Sequence, residues 1–243
     1  ASLTKDLVQG KKPQYVTLSI TTSSIYSLDA LEELVSGFFT AANAFGCKAL
    51  INEVTTSATG LYLTATSINS LKSFREPFID AEMKAGDLIC VSGDLGAAYL
   101  GLLLLEREKR VFKENPEMQP DLEGKDYIVG RQLKPELRMD IVDLLVSESI
   151  SISAAHNLDF GLAVSLKELV KDTGFGAVVF EEKLPVDTET LMQCIDFGID
   201  PTVAALNGGE DYEWSFIVPQ ADYSKLESLS SAITVVGYVA DKT

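Results

Sequence analysis

The stretch Gly86-Asp87-Leu88-Ile89-Cys90-Val91-Ser92-Gly93-Asp94-Leu95-Gly96 reads as a strand that passes through a glycine turn into a helix. Its apolar run from Leu88 to Val91 is too short for a helix and lies between Gly86 and Gly93, the pattern of a buried strand. Beyond Gly96 the apolar residues take helical spacing to about Lys113, and Glu106, Arg107, Glu108, Lys109 and Arg110 solvate the far end. Strand, glycine turn and helix make one α/β step. By itself Gly93-Asp94-Leu95-Gly96 is a weak phosphate loop, because it lacks the Lys-Ser/Thr of a P-loop and the third glycine of a dinucleotide fingerprint. A plain structural turn is the simpler reading.

Upstream of that step, Gln14 to Thr21 reads as a strand and Leu28 to Phe45 as a helix, with Ser27 as N-cap and Gly46 closing it. Lys48 to Thr55 and Gly60 to Ser67 read as two further strands across a turn at Ser57 to Gly60, which completes a β-α-β-β unit. Asn69 to Lys84 has weak periodicity and contains Pro77, so it reads as a connector with a domain boundary near residue 80. Downstream, Asn115 to Pro135 is a polar segment interrupted by Pro116 and Pro120. Helices are expected at Glu136 to Ser147, Gly161 to Asp172, Thr188 to Phe197 and Tyr223 to Ser230, and strands at Ala177 to Glu181, Tyr212 to Val218 and Ile233 to Val239. The expected class is therefore mixed α/β (α+β) in two domains. Residues 1–79 form a partial β-α-β-β domain and residues 80–243 a larger α/β domain.

Composition supports a folded, soluble chain: 243 residues with 46% hydrophobic content bury a sizeable core. The 36 acidic residues exceed the 20 basic ones to give a formal charge of −16, spread without blocks, which counts against nucleic acid or anionic membrane as partners. Cys47, Cys90 and Cys194 form no CxxC pair and His156 is the single histidine, so neither a zinc site nor a disulfide framework is expected. The longest apolar run, around Leu100 to Leu105, is far too short to span a bilayer, and the start has no secretory pattern. These features point to the cytoplasm or an organelle matrix, with no membrane insertion.

The second unusual segment is Asn207-Gly208-Gly209-Glu210-Asp211-Tyr212-Glu213. Two glycines allow a backbone to approach a ligand closely, and three carboxylates within four residues are costly unless they bind something or face water. Locally, a binding site and a solvated turn fit it equally. His156 has no paired cysteine or serine in sequence reach and reads as structural.

Taken together and in order, these segments resemble the thiamine-monophosphate kinases. The resemblance is carried by Gln14-Tyr15-Val16-Thr17-Leu18-Ser19, by Gly86 to Gly96, by Gly130-Arg131-Gln132-Leu133-Lys134-Pro135, by the Gly174-Phe175-Gly176-Ala177 joint, by Leu184-Pro185 and by Ala205 to Glu213. It covers nearly all of this chain. It implies an aminoimidazole-ribonucleotide-synthetase-like fold of two α/β domains that dimerises through the first. It also implies ATP and several magnesium ions at the domain cleft, and transfer of the γ-phosphoryl group to thiamine monophosphate. Such chemistry needs clustered carboxylates, because phosphoryl transfer is mostly positioning and neutralisation of charge by metal ions on hard oxygen ligands.

Several of those carboxylates are replaced. Thr4-Lys5-Asp6 stands where the family reads Ser-Asp, so Lys5 takes a metal position unless a one-residue slip restores Asp6. Asn52-Glu53-Val54-Thr55-Thr56 stands for Gly-Gly-Asp-Thr-Thr, which puts Val54 in place of an aspartate and Asn52 and Glu53 on the nucleotide side. Asn157-Leu158-Asp159-Phe160-Gly161-Leu162 stands for Asp-x-Ser-Asp-Gly-Leu: Asn157 retains weak metal-ligand character, Asp159 and Gly161 keep the nucleotide positions, and Phe160 replaces a ligand. Asp80 falls where the family has a phosphate-binding arginine. The resemblance further implies an N-terminal segment with more aspartates and a tail with a stacking tryptophan, so the chain is expected to be truncated at both ends.

Glu210 is the surviving family position with a ligand role, and with Gly208, Gly209 and Asp211 it forms the expected substrate side. Losing three or four metal carboxylates removes several kcal/mol each from transition-state stabilisation, at a factor of ten in rate per ~1.4 kcal/mol. The leading expectation is a degenerate kinase-like protein that serves as a structural or interaction subunit, with a homodimer contact or protein partner covering the exposed edge and apolar face of the first domain. The alternative is an active ATP- and magnesium-dependent kinase in which Asp6, Glu53, Asp87, Asp94, Asp159, Glu210 and Asp211 form a rearranged acidic site. A third reading is a remnant that binds thiamine phosphate without turnover.

Overall fold

A computed structural model of the chain describes residues 2–73, 78–229 and 231–241, with the backbone alone for 70–73. It divides into two compact units, Ala1–Phe78 and Ile79–Thr243. The first unit holds α1 (Ser2–Leu7), β1 (Lys11–Thr22), α2 (Leu28–Ala44), β2 (Lys48–Thr56) and β3 (Leu61–Ser73). Ser27 caps α2 by accepting the Ala30 N–H at 3.2 Å, and Gly46 leaves the helix at φ 69°, a left-handed turn that glycine adopts without steric cost. α2 then returns the chain to lay β2 parallel to β1, while β3 runs antiparallel on the other side, in the order β2-β1-β3.

Register assigns the faces of this sheet. Val16, Leu18 and Ile20 of β1 are buried on one face, where Val16 packs with Leu3 of α1 and with Phe38, Ala42 and Phe45 from α2 and its C-cap. Tyr15, Thr17 and Thr21 alternate with them, and their partners across the ladders are Ile68, Leu50 and Tyr62. Leu50, Tyr62 and Ile68 are 54, 58 and 50% exposed, so this second face is apolar and open.

The second unit contains β4 (Leu88–Ser92), α3 (Ala97–Glu114), α4 (Asp126–Leu133), α5 (Met139–Ser147), β5 (Ala154–Asn157), α6 (Leu162–Leu169), β6 (Phe175–Val179), α7 (Thr188–Phe197), α8 (Pro201–Asn207), β7 (Trp214–Val218), α9 (Tyr223–Glu227) and β8 (Ile233–Asp241). Its sheet has the order β5-β7-β4-β8-β6. β4 is central, paired with β7 and β8, and Ile89, Cys90 and Val91 are fully buried, as the apolar run in the sequence requires. Ile89 and Val91 share one core with Leu95, Leu158, Leu162, Ile217, Val236 and Val239. Each large aliphatic side chain buried there contributes about 1.5–3 kcal/mol.

Several expectations are corrected. Every ladder in the second sheet is antiparallel, although the strand-turn-helix pattern suggested an α/β step. A strand's direction is decided by which distant strands flank it, and local pattern carries no such information. The polar segment Asn115 to Pro135 contains α4, whose buried Ile128 packs against Ala97 and Leu104 of α3. α1, β5 and α8 are further elements that short length hid from periodicity. β3 continues to Ser73, into the expected connector, whose residues 74–77 including Pro77 lie outside the described residues, as does the expected helix end at Ser230. The expected strand at Ala177 to Glu181 begins instead at Phe175 and gives way to a single 3-10 turn, Glu181–Lys183.

Candidate functional site

The second unit gathers Asn157, Asp159, Gly161, Gly208, Gly209, Glu210 and Asp211 around one turn between α8 and β7. The turn folds left-handed at Gly209 (φ 76°), Glu210 (φ 59°) and Tyr212 (φ 53°). For the two residues that are not glycine this conformation costs about 1–3 kcal/mol each, so the surroundings must enforce it. They do so by close backbone packing. A Cβ on Gly208 would fall 2.5 Å from the Ala204 carbonyl oxygen, one on Gly209 2.7 Å from the Asp159 carbonyl oxygen, and one on Gly161 2.5 Å from the Leu206 carbonyl oxygen. These glycines let backbone approach backbone, whereas the sequence had suggested approach to a ligand. The Glu210 N–H donates to the Asp159 carbonyl at 2.9 Å, and the Asn157 amide donates to the Asp159 carboxylate.

Asp211 has a separate task. α3 starts after Gly96, which has no side chain to cap it, so the first N–H groups of an 18-residue helix lack local partners. Asp211, 115 residues further on, supplies both acceptors: Oδ2 to the Gly96 N–H at 2.9 Å and Oδ1 to the Ala98 N–H at 3.3 Å. The acceptor at the α3 N-terminus is thus the protein's own carboxyl, which explains Gly93-Asp94-Leu95-Gly96 as a structural turn. Burial pushes the Asp211 carboxyl up to about 7, against the downward pull of the Gly96 N–H, the Arg131 guanidinium and the Ala98 N–H.

Behind the turn lies a charge cluster that sequence reading missed. Glu213 is only 1% exposed and accepts hydrogen bonds from Ser92 Oγ, from Arg131 Nη1 at 3.0 Å and from Arg138 Nη1. Arg138 also grips Asp140 with Nε and Nη2 at 2.9 and 2.8 Å. Burial alone would lower the pKa of both guanidiniums, but their carboxylate partners raise it. Tyr127 donates to Asp94, and burial together with that carboxylate holds its phenol well above the usual range. Gly93, Asp94, Tyr127, Lys134, Arg131 and Arg138 wall an open cavity of about 410 Å³. Arg131 lies on α4, and assigning no helix there concealed its direction, while Arg138 stands just before α5.

Glu210 itself is exposed, and its Oε2 accepts a hydrogen bond from Gln132 Nε2 of α4 at 3.3 Å. Phe160, beside Asp159, is 69% exposed. His156 Nδ1 lies 2.7 Å from the Asn157 carbonyl oxygen and 3.1 Å from Ser165 Oγ, and Ser165 meets Ser215. Both serines are buried, so the trio ties α6 to β5 and β7 and offers no reachable nucleophile.

Asp6, Asn52 and Glu53 lie in the first unit. Asp6 is tied to β3 by Ser67 Oγ and by Asn69 Nδ2 at 2.8 Å, and Asn52 Nδ2 donates to Ser19 Oγ at 3.1 Å. Val54 is 60% exposed. Asp80, in the second unit, accepts the Ile152 N–H at 2.9 Å and joins the entry of that unit to the approach to β5. Among the described residues no cluster of three or more carboxylate, histidine or cysteine side chains is arranged to hold a metal ion. Within neither unit taken by itself do the described donors make up sites for the several magnesium ions that the resemblance implies.

This fold is shared with solved proteins of the aminoimidazole-ribonucleotide-synthetase-like class. AaThiL complexed with AMPPCP and TMP superposes with a TM-score of 0.80 at 23% identity, over 99% of this chain and 71% of that one. The E. coli hydrogenase maturation protein HypE superposes at 0.76 and 16% identity, over 100% of this chain and 72% of that one. In sequence the chain is similar to thiamine-monophosphate kinases. It is 28% identical over 239 residues to that of Buchnera aphidicola subsp. Schizaphis graminum, covering 95% of this chain and 67% of the relative, and 23% identical over 240 residues to that of Bacillus subtilis, covering 96% and 69%. No protein-family model matches. The chain spans about two-thirds of the length of the curated relatives it matches.

Proposed function

We propose that this chain is a thiamine-monophosphate-kinase-like protein that has lost phosphoryl transfer and serves as a structural or interaction subunit. The observation that carries this reading is the exposure of Val54 and Phe160, 60 and 69%, at positions where the resemblance places metal-binding carboxylates. Solvent-facing placement persists there without the hard oxygen donors that magnesium requires. The open apolar face of the first sheet, with Leu50, Tyr62 and Ile68, supports the interaction half of the reading, a homodimer contact or a protein partner.

Product formation from ATP, magnesium and thiamine monophosphate tests the proposal. Wild-type protein gives no turnover above background, and a rate in the ordinary kinase range, about 1–100 s⁻¹, would refute it. The second reading, an active kinase with an altered site, is favoured by the outward presentation of Glu210 on an enforced turn and by the fold shared with AaThiL. Calorimetry separates the two: ATP-magnesium binding tighter than roughly 1 mM, about 4 kcal/mol, belongs to the second reading. Binding of thiamine monophosphate alone fits either.

A further inference from the structure

β6 ends the second sheet: β8 flanks it on one side, and among the described residues no strand flanks it on the other. The ladder shows which of its backbone groups are free. Val239 of β8 donates its N–H to the Asp87 carbonyl and accepts the Gly86 N–H, both at 2.8 Å, so its backbone faces away from β6. Ala177 is its partner across the antiparallel ladder, so the two make a non-hydrogen-bonded couple and the Ala177 N–H and carbonyl aim over the open edge. The Phe180 N–H donates to the Val236 carbonyl at 2.9 Å, which fixes the same alternation and places Phe175 and Val179 with Ala177. Thr173 Oγ1 accepts the Phe175 N–H at 3.1 Å, so Ala177 and Val179 carry the remaining edge donors. Natural edges are guarded by a charge, a proline or a bulge, yet Phe175 to Val179 has no charge or proline and its ladder keeps unbroken register.

A groove lies beside that edge. Ala163, Leu166, Lys167 and Val170 share one stripe of α6 and its C-cap, and with Ala177 and Val179 they wall an open cavity of about 360 Å³. All are apolar except Lys167, which is exposed and, among the described residues, makes no ion pair. We propose that β6 is a docking edge for an extended segment of a partner protein, which adds a strand to the sheet, places alternate apolar side chains in the groove and sets a carboxylate against Lys167. The free backbone groups select a strand, the apolar walls select its inward side chains, and Lys167 selects its charge. A second copy of β6 fits less well, because Phe175 to Val179 brings no carboxylate to Lys167. The surface lies wholly within the second unit, and the inference stands whether or not phosphoryl transfer is lost.

The probe is a blocked peptide that alternates valine with threonine and carries one glutamate, titrated into the full chain while hydrogen exchange of individual amides is read by NMR. Peptide slows exchange at Ala177 and Val179 and leaves Val178, whose N–H faces β8, unchanged. Ala177→Pro removes an outward N–H and no bond to β8, so the sheet stays intact and the peptide binds about tenfold more weakly. A peptide N-methylated along its pairing edge gives the same loss with the wild type, which guards against a proline variant that fails to fold. Lys167→Glu weakens the glutamate peptide about threefold, the size of an exposed ion pair, and favours a lysine peptide in its place. No response of the Ala177 and Val179 amides to millimolar peptide overturns the docking edge, as does undiminished binding of the N-methylated peptide. Equal binding by Lys167→Glu overturns the carboxylate. Protection of both amides without peptide, together with a sedimentation mass of two chains, assigns the edge to a second copy and overturns the partner.

Discussion

The segment from Asp211 to Glu213 and the loop at Phe160 are close in the fold, yet they are built on opposite terms. Asp211 and Glu213 are almost inaccessible, and each carboxylate has two or more donors. Phe160 is apolar and mostly exposed. On the proposed reading, carboxylates stay where the fold would lose stability without them, and are replaced where the reaction alone would need them. Substitution at Glu213 gives the sharpest test of that contrast. Glu213→Ala leaves Arg131 and Arg138, both largely buried, facing each other without their shared anion. Breaking such a buried pair costs about 3–5 kcal/mol, whereas Phe160→Ser falls within about 0.5 kcal/mol of wild type. Urea denaturation of the two variants measures both, and equal effects would dissolve the distinction.

Asp211 provides the next largest effect. Asp211→Ala removes the cap of α3 and costs about 0.5–2 kcal/mol. Its pH dependence has a definite sign. The folded-state pKa is raised to about 7, so between the ordinary carboxylate range and about 7 the folded protein holds a proton that the unfolded chain has released. The contribution of this group is fully present below the ordinary range and is lost as pH rises through about 7. Asp211→Asn stays neutral throughout, so the wild type minus Asp211→Asn difference in stability shifts against the wild type between about pH 4 and 7. A flat difference would mean that burial does not raise the Asp211 carboxyl above its ordinary range.

The contrast also explains what the sequence disclosed. β4 was legible because a central strand buried on both faces must be continuously apolar, and α2 because Ser27 and Gly46 mark its ends. α4 was not, because the polar residues that made it look like a loop, Arg131 and Gln132, are turned to the Glu210 turn and to Glu213. The glycines at 208 and 209 were recognised as special, but the reason at Gly209 is the backbone of Asp159 and Phe160, far away in sequence. The role of Asp211 depends on Gly96, 115 residues distant, and no local pattern carries that pairing.

The smallest effect on stability belongs to the first unit, where the open sheet face behaves differently from anything in the second. Leu50 and Ile68 sit on that face and are half exposed, each opposite a residue of β1. Leu50→Thr with Ile68→Thr places β-branched side chains suited to strands at both positions and removes apolar surface that the isolated chain already leaves in water. The expected change in unfolding free energy is within about 0.5 kcal/mol per site. If the face is covered by a second copy, the same pair of substitutions lowers the mass measured by sedimentation from dimer to monomer. A wild type that sediments as a monomer at micromolar concentration would exclude the homodimer and leave a separate protein as the partner to seek.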